Sequence, residues 1–300
     1  MSNTLMNHPF RTIFSSKDRN PFLLYKNMNK MRKGLHIGTS GWSYEKDWKG
    51  VFYKSGTSML QQYLSYFDTA EINSTFYALP KPKFITHLAS LDEDFFFTAK
   101  IPKKVTHDSR LDLNGEGGAI LSEFFRLIEP LGKRIPVLLI QLPPWDISTM
   151  ADLETFLLAL DPSFRYAIEF RDFSWLTNKI WSLLEDYGIA NVIVDEPKLP
   201  IDLRITADFS YIRWHGHGEN PWFNYRYSIE ELEDWIPRLE QVTNSVPTTF
   251  GYFNNHFAGN APLNALQMLS LLGTLTRRQE RKLESMLEAD TFQQTSLDDF

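Results

Sequence analysis

The stretch Tyr166-Ala167-Ile168-Glu169-Phe170-Arg171 decides the fold, because it is a short apolar run that ends in charged residues and is followed by a helical pattern. One apolar helix face is predicted by the i, i+3, i+4, i+7 spacing of Ile180, Leu183, Leu184 and Tyr187. A strand followed closely by an amphipathic helix is typical of a βα unit. This unit recurs along the chain.

Eight apolar runs of this kind occur, and most of them end in polar or charged residues. Their ends are Gly38-Thr39-Ser40-Gly41-Trp42, Glu71-Ile72-Asn73-Ser74-Thr75, Thr98-Ala99-Lys100, Gln141-Leu142-Pro143, Glu169-Phe170-Arg171, Asp195, Arg213-Trp214-His215 and Tyr252-Phe253-Asn254-Asn255. Strand and helix alternating about eight times over ~250 residues is typical of a (β/α)8 TIM-type barrel of the α/β class. An open doubly wound sheet is the alternative, but no Gly-x-Gly-x-x-Gly follows a predicted strand.

Composition favours one large domain without membrane spans. The chain has 300 residues, 43% of them hydrophobic, and no cysteine, so thiol nucleophiles, disulfides and thiolate metal sites are excluded. No apolar run approaches the ~20 residues of a transmembrane helix, and we expect a cytoplasmic protein. We expect a basic extension at residues 1–33, the barrel at 34–273, and a C-terminal helix with a polar tail at 274–300. The net charge of −6 disfavours a global positive field for nucleic acid.

Strand phase predicts which side chains point into the barrel, because alternate residues of a strand face opposite sides. The predicted inner set is Glu71, Lys100, Gln141, Glu169, Arg171, Asp195, Arg213 and His215. Burying such charges unpaired is costly, so they must pair with one another or with a ligand. One interpretation is an internal salt-bridge network that fixes barrel geometry. The other is a functional site, since active sites of this fold lie at the carboxyl ends of the strands.

The chain resembles the YecE-like family, also called DUF72. The resemblance is carried, in order, by residues 38–44, 71–77, Lys100 with Thr106-His107, residues 141–144, 169–171, 206–209, 215–216 and 252–255. It extends from about Leu35 to Leu272 and implies a TIM-type barrel. It does not imply a particular reaction.

The first chemical interpretation is an enzyme of hydrolase, lyase or isomerase type that acts on a small phosphate-bearing or sugar-like ligand. Arginine and lysine would hold the anionic group while carboxylates and histidine transfer protons. The candidate catalytic residues are Glu71, Glu169, Asp195 and His215. The candidate ligand-binding residues are Trp42, Asn73, Tyr77, Lys100, His107, Gln141, Arg171, Arg213, Tyr252 and Asn254.

Two further interpretations remain open. A divalent metal, Mg, Mn or Zn, could be held by the catalytic set with His107 or His217, but the interleaved cations would repel it, so no cofactor is predicted. Alternatively, aromatic rings beside cations could bind nucleic acid, which suggests a nuclease-like protein of DNA maintenance. Residues 294–300, Gln294 to Phe300, resemble tails that dock on the replication sliding clamp, although short motifs of this kind arise by chance and a frayed polar tail is the alternative.

Overall fold

Eight parallel strands form a barrel in the computed structural model, which describes residues 34–298, with side chains for residues 34–289. The strands are β1 Leu35–Thr39, β2 Thr69–Ile72, β3 Phe96–Lys100, β4 Val137–Gln141, β5 Tyr166–Glu169, β6 Ala190–Asp195, β7 Ser210–Trp214 and β8 Thr249–Phe253. Their order around the sheet is β1-β8-β7-β6-β5-β4-β3-β2, and all paired neighbours are parallel. The predicted TIM-type barrel is confirmed.

The barrel closes between β1 and β2 through a short parallel bridge just beyond β1. Ser40 bridges to Glu71, and the N–H of Gly41 donates to the carbonyl of Glu71 at 2.8 Å. Gly38 allows this close approach, because a Cβ at that position would lie 2.3 Å from the carbonyl oxygen of Thr69. The seam therefore brings the end of β1 against Glu71.

Helices surround the barrel. They are α1 Glu45–Trp48, α2 Met59–Tyr63, α3 Ser74–Tyr77, α4 Pro82–Ala89, α5 Glu116–Ile128, α6 Leu153–Leu158, α7 Asn178–Tyr187, α8 Ile229–Ser245, α9 Asn260–Leu271 and α10 Arg277–Asp298. Short 3-10 turns occupy Glu129–Arg134, Ile147–Thr149, Phe173–Trp175 and Phe257–Gly259, and one π-helical turn occupies Lys104–Asp108. Between β6 and β7 the described chain contains no helix, and Pro197 and Pro200 lie in that connection.

Two apolar cores hold the barrel together. The larger core lies between the strands and the surrounding helices, and a smaller cluster fills the lumen. The lumen cluster comprises Val137, Leu139, Ala167, Ala190, Val192, Val194, Leu199, Phe209, Tyr211, Phe250 and Tyr252. A filled lumen excludes water beneath the mouth, so polar groups at the strand ends stand on an apolar base.

Two predictions concern segments at the ends of the chain. The basic extension at residues 1–33 lies outside the described residues, as do the side chains of the tail, Gln294 to Phe300. The backbone of α10 is helical to Asp298. Within the described part of the chain, every helix is too short or too polar to span a bilayer.

Candidate functional site

A cavity of about 480 Å³ opens at the carboxyl ends of the strands. It is lined by Tyr44, Asn73, Phe76, Tyr77, Lys100, Gln141, Leu142, Pro144, Arg171, Glu196, Lys198, His215, Trp222, Phe223, Asn254 and His256. Its volume suits a small ligand. A groove of about 550 Å³ beside the start of β1 has Asp68 as its one charged residue among the described lining residues. The charged mouth is therefore the candidate site.

The deepest layer beneath the cavity is a closed ionic group of Glu71, Glu169 and Arg213, all with 0% exposure. The Arg213 guanidinium donates from Nη2 to Glu71 Oε1 at 2.8 Å and from Nη1 to Glu169 Oε2 at 2.5 Å. Tyr211 donates its hydroxyl to Glu71 Oε2 at 2.7 Å. Both carboxylates are thus committed to protein donors, which compensates for their removal from water.

A second layer faces the cavity and contains Arg171, Glu196 and Lys100. Arg171 donates from Nε to Glu169 Oε1 and from Nη1 to Glu196 Oε2, the latter at 3.0 Å. Lys100 donates from Nζ to Gln141 Oε1 at 2.9 Å, and its Nζ lies 3.9 Å from Glu71 Oε1. The three acids and three cations of the two layers balance in charge.

The pKa values of Glu169 and Glu196 are shifted in opposite directions. Burial alone would raise the pKa of Glu169, but the positive charges of Arg171 and Arg213 outweigh it and hold that pKa well below its usual range. The pKa of Glu196 is raised, chiefly by burial, with Arg171 opposing the shift and Glu169 adding to it. Glu169 is therefore a fixed anion near neutral pH, whereas Glu196 binds a proton more readily than an ordinary glutamate.

Lys100 and His215 are also shifted by their surroundings. Burial and, next, the charge of Arg213 lower the pKa of Lys100 to about 7, although Glu71 and Glu169 act in the opposite direction. Burial and the charge of Arg171 lower the pKa of His215 to about 3, so its imidazole is neutral at physiological pH. The Asn254 amide nitrogen lies 2.9 Å from His215 Nδ1 and orients the ring.

Aromatic rings form the walls of the cavity. Tyr44 stacks on His256 with centroids 4.3 Å apart, and Phe223 stacks on the same imidazole at 5.4 Å. Lys198 lies over the Trp222 ring at 4.8 Å. These apolar faces and the charged floor make the cavity amphipathic, which suits a ligand with both polar groups and a carbon skeleton.

Seven of the eight predicted inner residues converge, and the prediction for Asp195 is wrong. Val192 and Val194 fill the lumen, so Asp195 points outward, where it accepts from Trp235 Nε1 at 2.7 Å and contacts His217 Nε2 at 2.5 Å. The polar residues of β6, Asn191 and Asp195, share a face with Ile193, but both faces of the strand are buried and this polar face packs away from the lumen. Polarity alternation therefore indicated the wrong face.

Glu196 takes the predicted place of Asp195 and was missed. It follows β6 in the phase of Val192 and Val194, and a neighbouring acid made the two phases equally plausible. Lys198 and His256 also line the cavity without having been predicted. Their positions depend on loop conformation, for which the sequence carries no periodic signal.

The predicted ligand-binding residues divide into two groups. Those that line the cavity are Asn73, Tyr77, Lys100, Gln141, Arg171 and Asn254. Trp42 does not; it is 8% exposed and packs against Phe84 and Phe97 in the outer core. Tyr252 lies in the lumen and Arg213 in the deep layer, while His107 packs behind Phe76. Trp42 is thus a core residue, contrary to its predicted role.

The metal hypothesis finds no supporting cluster. Among the described residues, no three of His, Asp and Glu are grouped so that they could hold an ion. The predicted ligands Glu71 and Glu169 are each bonded to Arg213 instead. The donor set does not fit a divalent cation, because guanidinium groups occupy the carboxylate oxygens.

The family model, the curated relatives and a solved structure all match this chain to the same family. Residues 36–288 match the family described as "Protein of unknown function DUF72". The chain is 26% identical to the UPF0759 protein YunF of Bacillus subtilis over 269 residues, covering 79% of this chain and 94% of the relative. It is 25% identical to the UPF0759 protein YecE of Escherichia coli K12 over 234 residues, which cover 69% of this chain and 81% of the relative. The crystal structure of a DUF72 family protein from Thermotoga maritima superposes with a TM-score of 0.69 and 33% sequence identity. The match covers 80% of this chain and 99% of that protein.

Proposed function

The chain belongs to the DUF72 family. From the geometry of its site we propose that it is an enzyme that transfers protons on a small anionic ligand held in the mouth of the barrel. One observation carries the proposal: Lys100 lies on the cavity floor with a pKa of about 7 and makes its described hydrogen bond to a neutral amide. A lysine with a perturbed pKa and a carboxylate with an unpaired oxygen in the same cavity are a mark of acid–base catalysis, with Glu196 as the base and Lys100 as the cation that stabilises the developing charge.

Each layer of the site has a role in this proposal. Lys100 and Arg171 hold the anionic group of the ligand, since both line the cavity, arginine is cationic, and Lys100 is protonated below its pKa of about 7. Beneath them, Glu169 holds the Arg171 guanidinium in place and Glu71 holds that of Arg213. They act as positioning residues, because neither carboxylate is exposed to the cavity.

Glu196 is the proton acceptor in this scheme. Its carboxylate removes a proton from a carbon next to a carbonyl group, and the electron pair moves onto the carbonyl oxygen. The protonated Lys100 ammonium stabilises that developing negative charge. A proton then returns to the same carbon, from Glu196 or from solvent, while the electron pair moves back from the oxygen and the carbonyl re-forms. The net result is hydrogen exchange or epimerisation at that carbon, which is isomerase-type chemistry.

A purely structural network would place its ions differently. Such a network gains by matching every cation with a carboxylate at hydrogen-bond distance. Lys100 Nζ instead lies 3.9 Å from the nearest described carboxylate oxygen, that of Glu71, and its pKa is depressed by this incomplete compensation. Retaining a poorly compensated lysine on a cavity floor has a stability cost, which favours a functional role.

The test is solvent hydrogen exchange, which needs no knowledge of the product. The purified chain is incubated in D2O with a panel of aldose phosphates, ketose phosphates, uronic acids and oxo acids, and proton NMR follows the loss of C–H signals. We expect exchange with at least one compound, a fall of at least ~100-fold in Glu196→Gln, and no change in the exposed control Glu185→Gln. No exchange across the panel, or full exchange by Glu196→Gln, would contradict the proposal.

Nucleic-acid binding stays a prediction, as do cytoplasmic location and docking on a sliding clamp. Cations that line the cavity, Lys100, Arg171 and Lys198, are compatible with phosphate contacts. A steep fall of affinity for single-stranded DNA with salt concentration would support this alternative. Salt-independent or undetectable binding would leave the small-ligand enzyme as the better account.

A further inference from the structure

Two hydrogen-bond acceptors on the cavity walls are buried and unpaired. Within the described residues, neither Asn73 Oδ1 nor Glu196 Oε1 has a hydrogen-bond partner. Both residues line the cavity, and Glu196 is 3% exposed. Buried acceptors without donors are costly, and such groups in a binding cavity indicate where a ligand supplies the donors.

The orientation of the Asn73 amide is fixed by its neighbours. The Tyr44 hydroxyl donates to the carbonyl oxygen of Ser40 at 2.7 Å. Because the Tyr44 hydroxyl has used its proton in that bond, its oxygen can act only as an acceptor toward Asn73. Asn73 Nδ2 donates to the Tyr44 hydroxyl oxygen at 3.4 Å. The amide oxygen is left as a buried acceptor without a partner among the described residues, in a residue that lines the cavity.

Glu196 is oriented in the same manner. Its Oε2 accepts from Arg171 Nη1 at 3.0 Å, which leaves Oε1 for the ligand. The two acceptors follow β2 and β6, which lie four strands apart in the barrel and so on opposite walls. A ligand that satisfies both must carry donors at two separate positions.

The donors that fit are hydroxyl groups. Lys100, Arg171 and Lys198 line the same cavity, and their positive charges would repel an ammonium donor. A hydroxyl donates a hydrogen bond without carrying charge. An anionic group bound between β3 and β5, where Lys100 and Arg171 lie, leaves the flanking walls for neutral donors.

We infer that the ligand is a polyhydroxylated anion, of the aldonate or sugar-phosphate class, whose hydroxyl groups donate to Asn73 Oδ1 and Glu196 Oε1. The inference rests on the proposed function and adds the substrate class and the residues that select it. Asn73 is a specificity-determining residue in this arrangement, and it contacts hydroxyl groups rather than the anionic group.

The test compares three six-carbon probes by isothermal titration calorimetry. Gluconate carries a carboxylate and hydroxyl groups, hexanoate carries the carboxylate alone, and sorbitol carries hydroxyl groups alone. For the wild-type chain we expect gluconate to bind at least tenfold more tightly than hexanoate, and sorbitol to bind weakest. Asn73→Leu should reduce the gluconate preference at least threefold, leaving the part that Glu196 supplies, while hexanoate affinity is retained, which also reports an intact fold. An unchanged preference in Asn73→Leu would overturn the role of Asn73.

Asn73→Asp is the conservative control, because it keeps an acceptor at the same position. Its added negative charge weakens the binding of both gluconate and hexanoate, but the ratio of their two affinities should persist. Equal affinity of wild-type protein for gluconate and hexanoate would overturn the inference and leave the anion site standing. Failure of both carboxylates to bind would overturn the anion site of the proposed function, and the inference with it.

Discussion

Replacing Lys100 by arginine should remove the pH dependence of anion binding between pH 7 and 9. The pKa of Lys100 is lowered to about 7, chiefly by burial, with Arg213 and Arg171 lowering it further and Glu71 and Glu169 opposing them. An anion binds the protonated ammonium, so affinity is full below pH 7 and falls above it. At pH 8 about one-tenth of Lys100 is protonated, so each pH unit costs about tenfold in affinity, or ~1.4 kcal/mol.

Gluconate is the appropriate probe, because its carboxylate stays ionised throughout this range. Isothermal titration calorimetry from pH 6 to pH 9 should give a plateau for wild-type protein below pH 7 and a slope approaching −1 in log affinity above it. The same titrations in buffers of different ionisation enthalpy should reveal proton uptake on binding at pH 8. Lys100→Arg should show no slope, because arginine stays protonated.

The reasoning would be refuted by equal slopes for wild-type protein and Lys100→Arg, or by a flat wild-type profile. Glu196 does not confound the comparison, because it is the same in both proteins. The paired measurement therefore isolates the lysine.

Three further predictions concern the ionic layer, the strand phase and the barrel seam. Glu169→Gln should lower the free energy of unfolding by ~3 to 5 kcal/mol in urea denaturation, because Arg171 and Arg213 lose their shared carboxylate; an unchanged midpoint would contradict this. Asp195→Asn should leave gluconate affinity within twofold, since Asp195 faces Trp235 and not the cavity; a tenfold loss would place it in the site. Gly38→Ala should lower stability by ~1 to 3 kcal/mol, because its Cβ would lie 2.3 Å from the Thr69 carbonyl oxygen; thermal unfolding at the wild-type temperature would show that the seam can widen.

The fold was predictable because its signals are local and repeated. Each strand is a short apolar run, each following helix has its own 3.6-residue periodicity, and the repeat number then indicates a closed barrel. Polarity alternation placed Glu71, Lys100 and Arg213 correctly, since each stands out against an apolar strand. The same rule failed on β6, where both faces are buried and the face that carries Asn191 and Asp195 points away from the lumen.

The sequence by itself determined the barrel and the convergence of opposite charges at its mouth, because strand ends in a parallel barrel meet at one rim. Only the tertiary structure decided which charges are satisfied. Arg213 donates to both Glu71 and Glu169, whereas Glu196 keeps one oxygen without a partner and Lys100 donates only to a neutral amide among its described hydrogen bonds, and both residues line the cavity. The physical reason is that strand periodicity fixes the direction of a side chain, whereas its partner and pKa depend on distances of a few ångströms across the barrel between residues far apart in the chain.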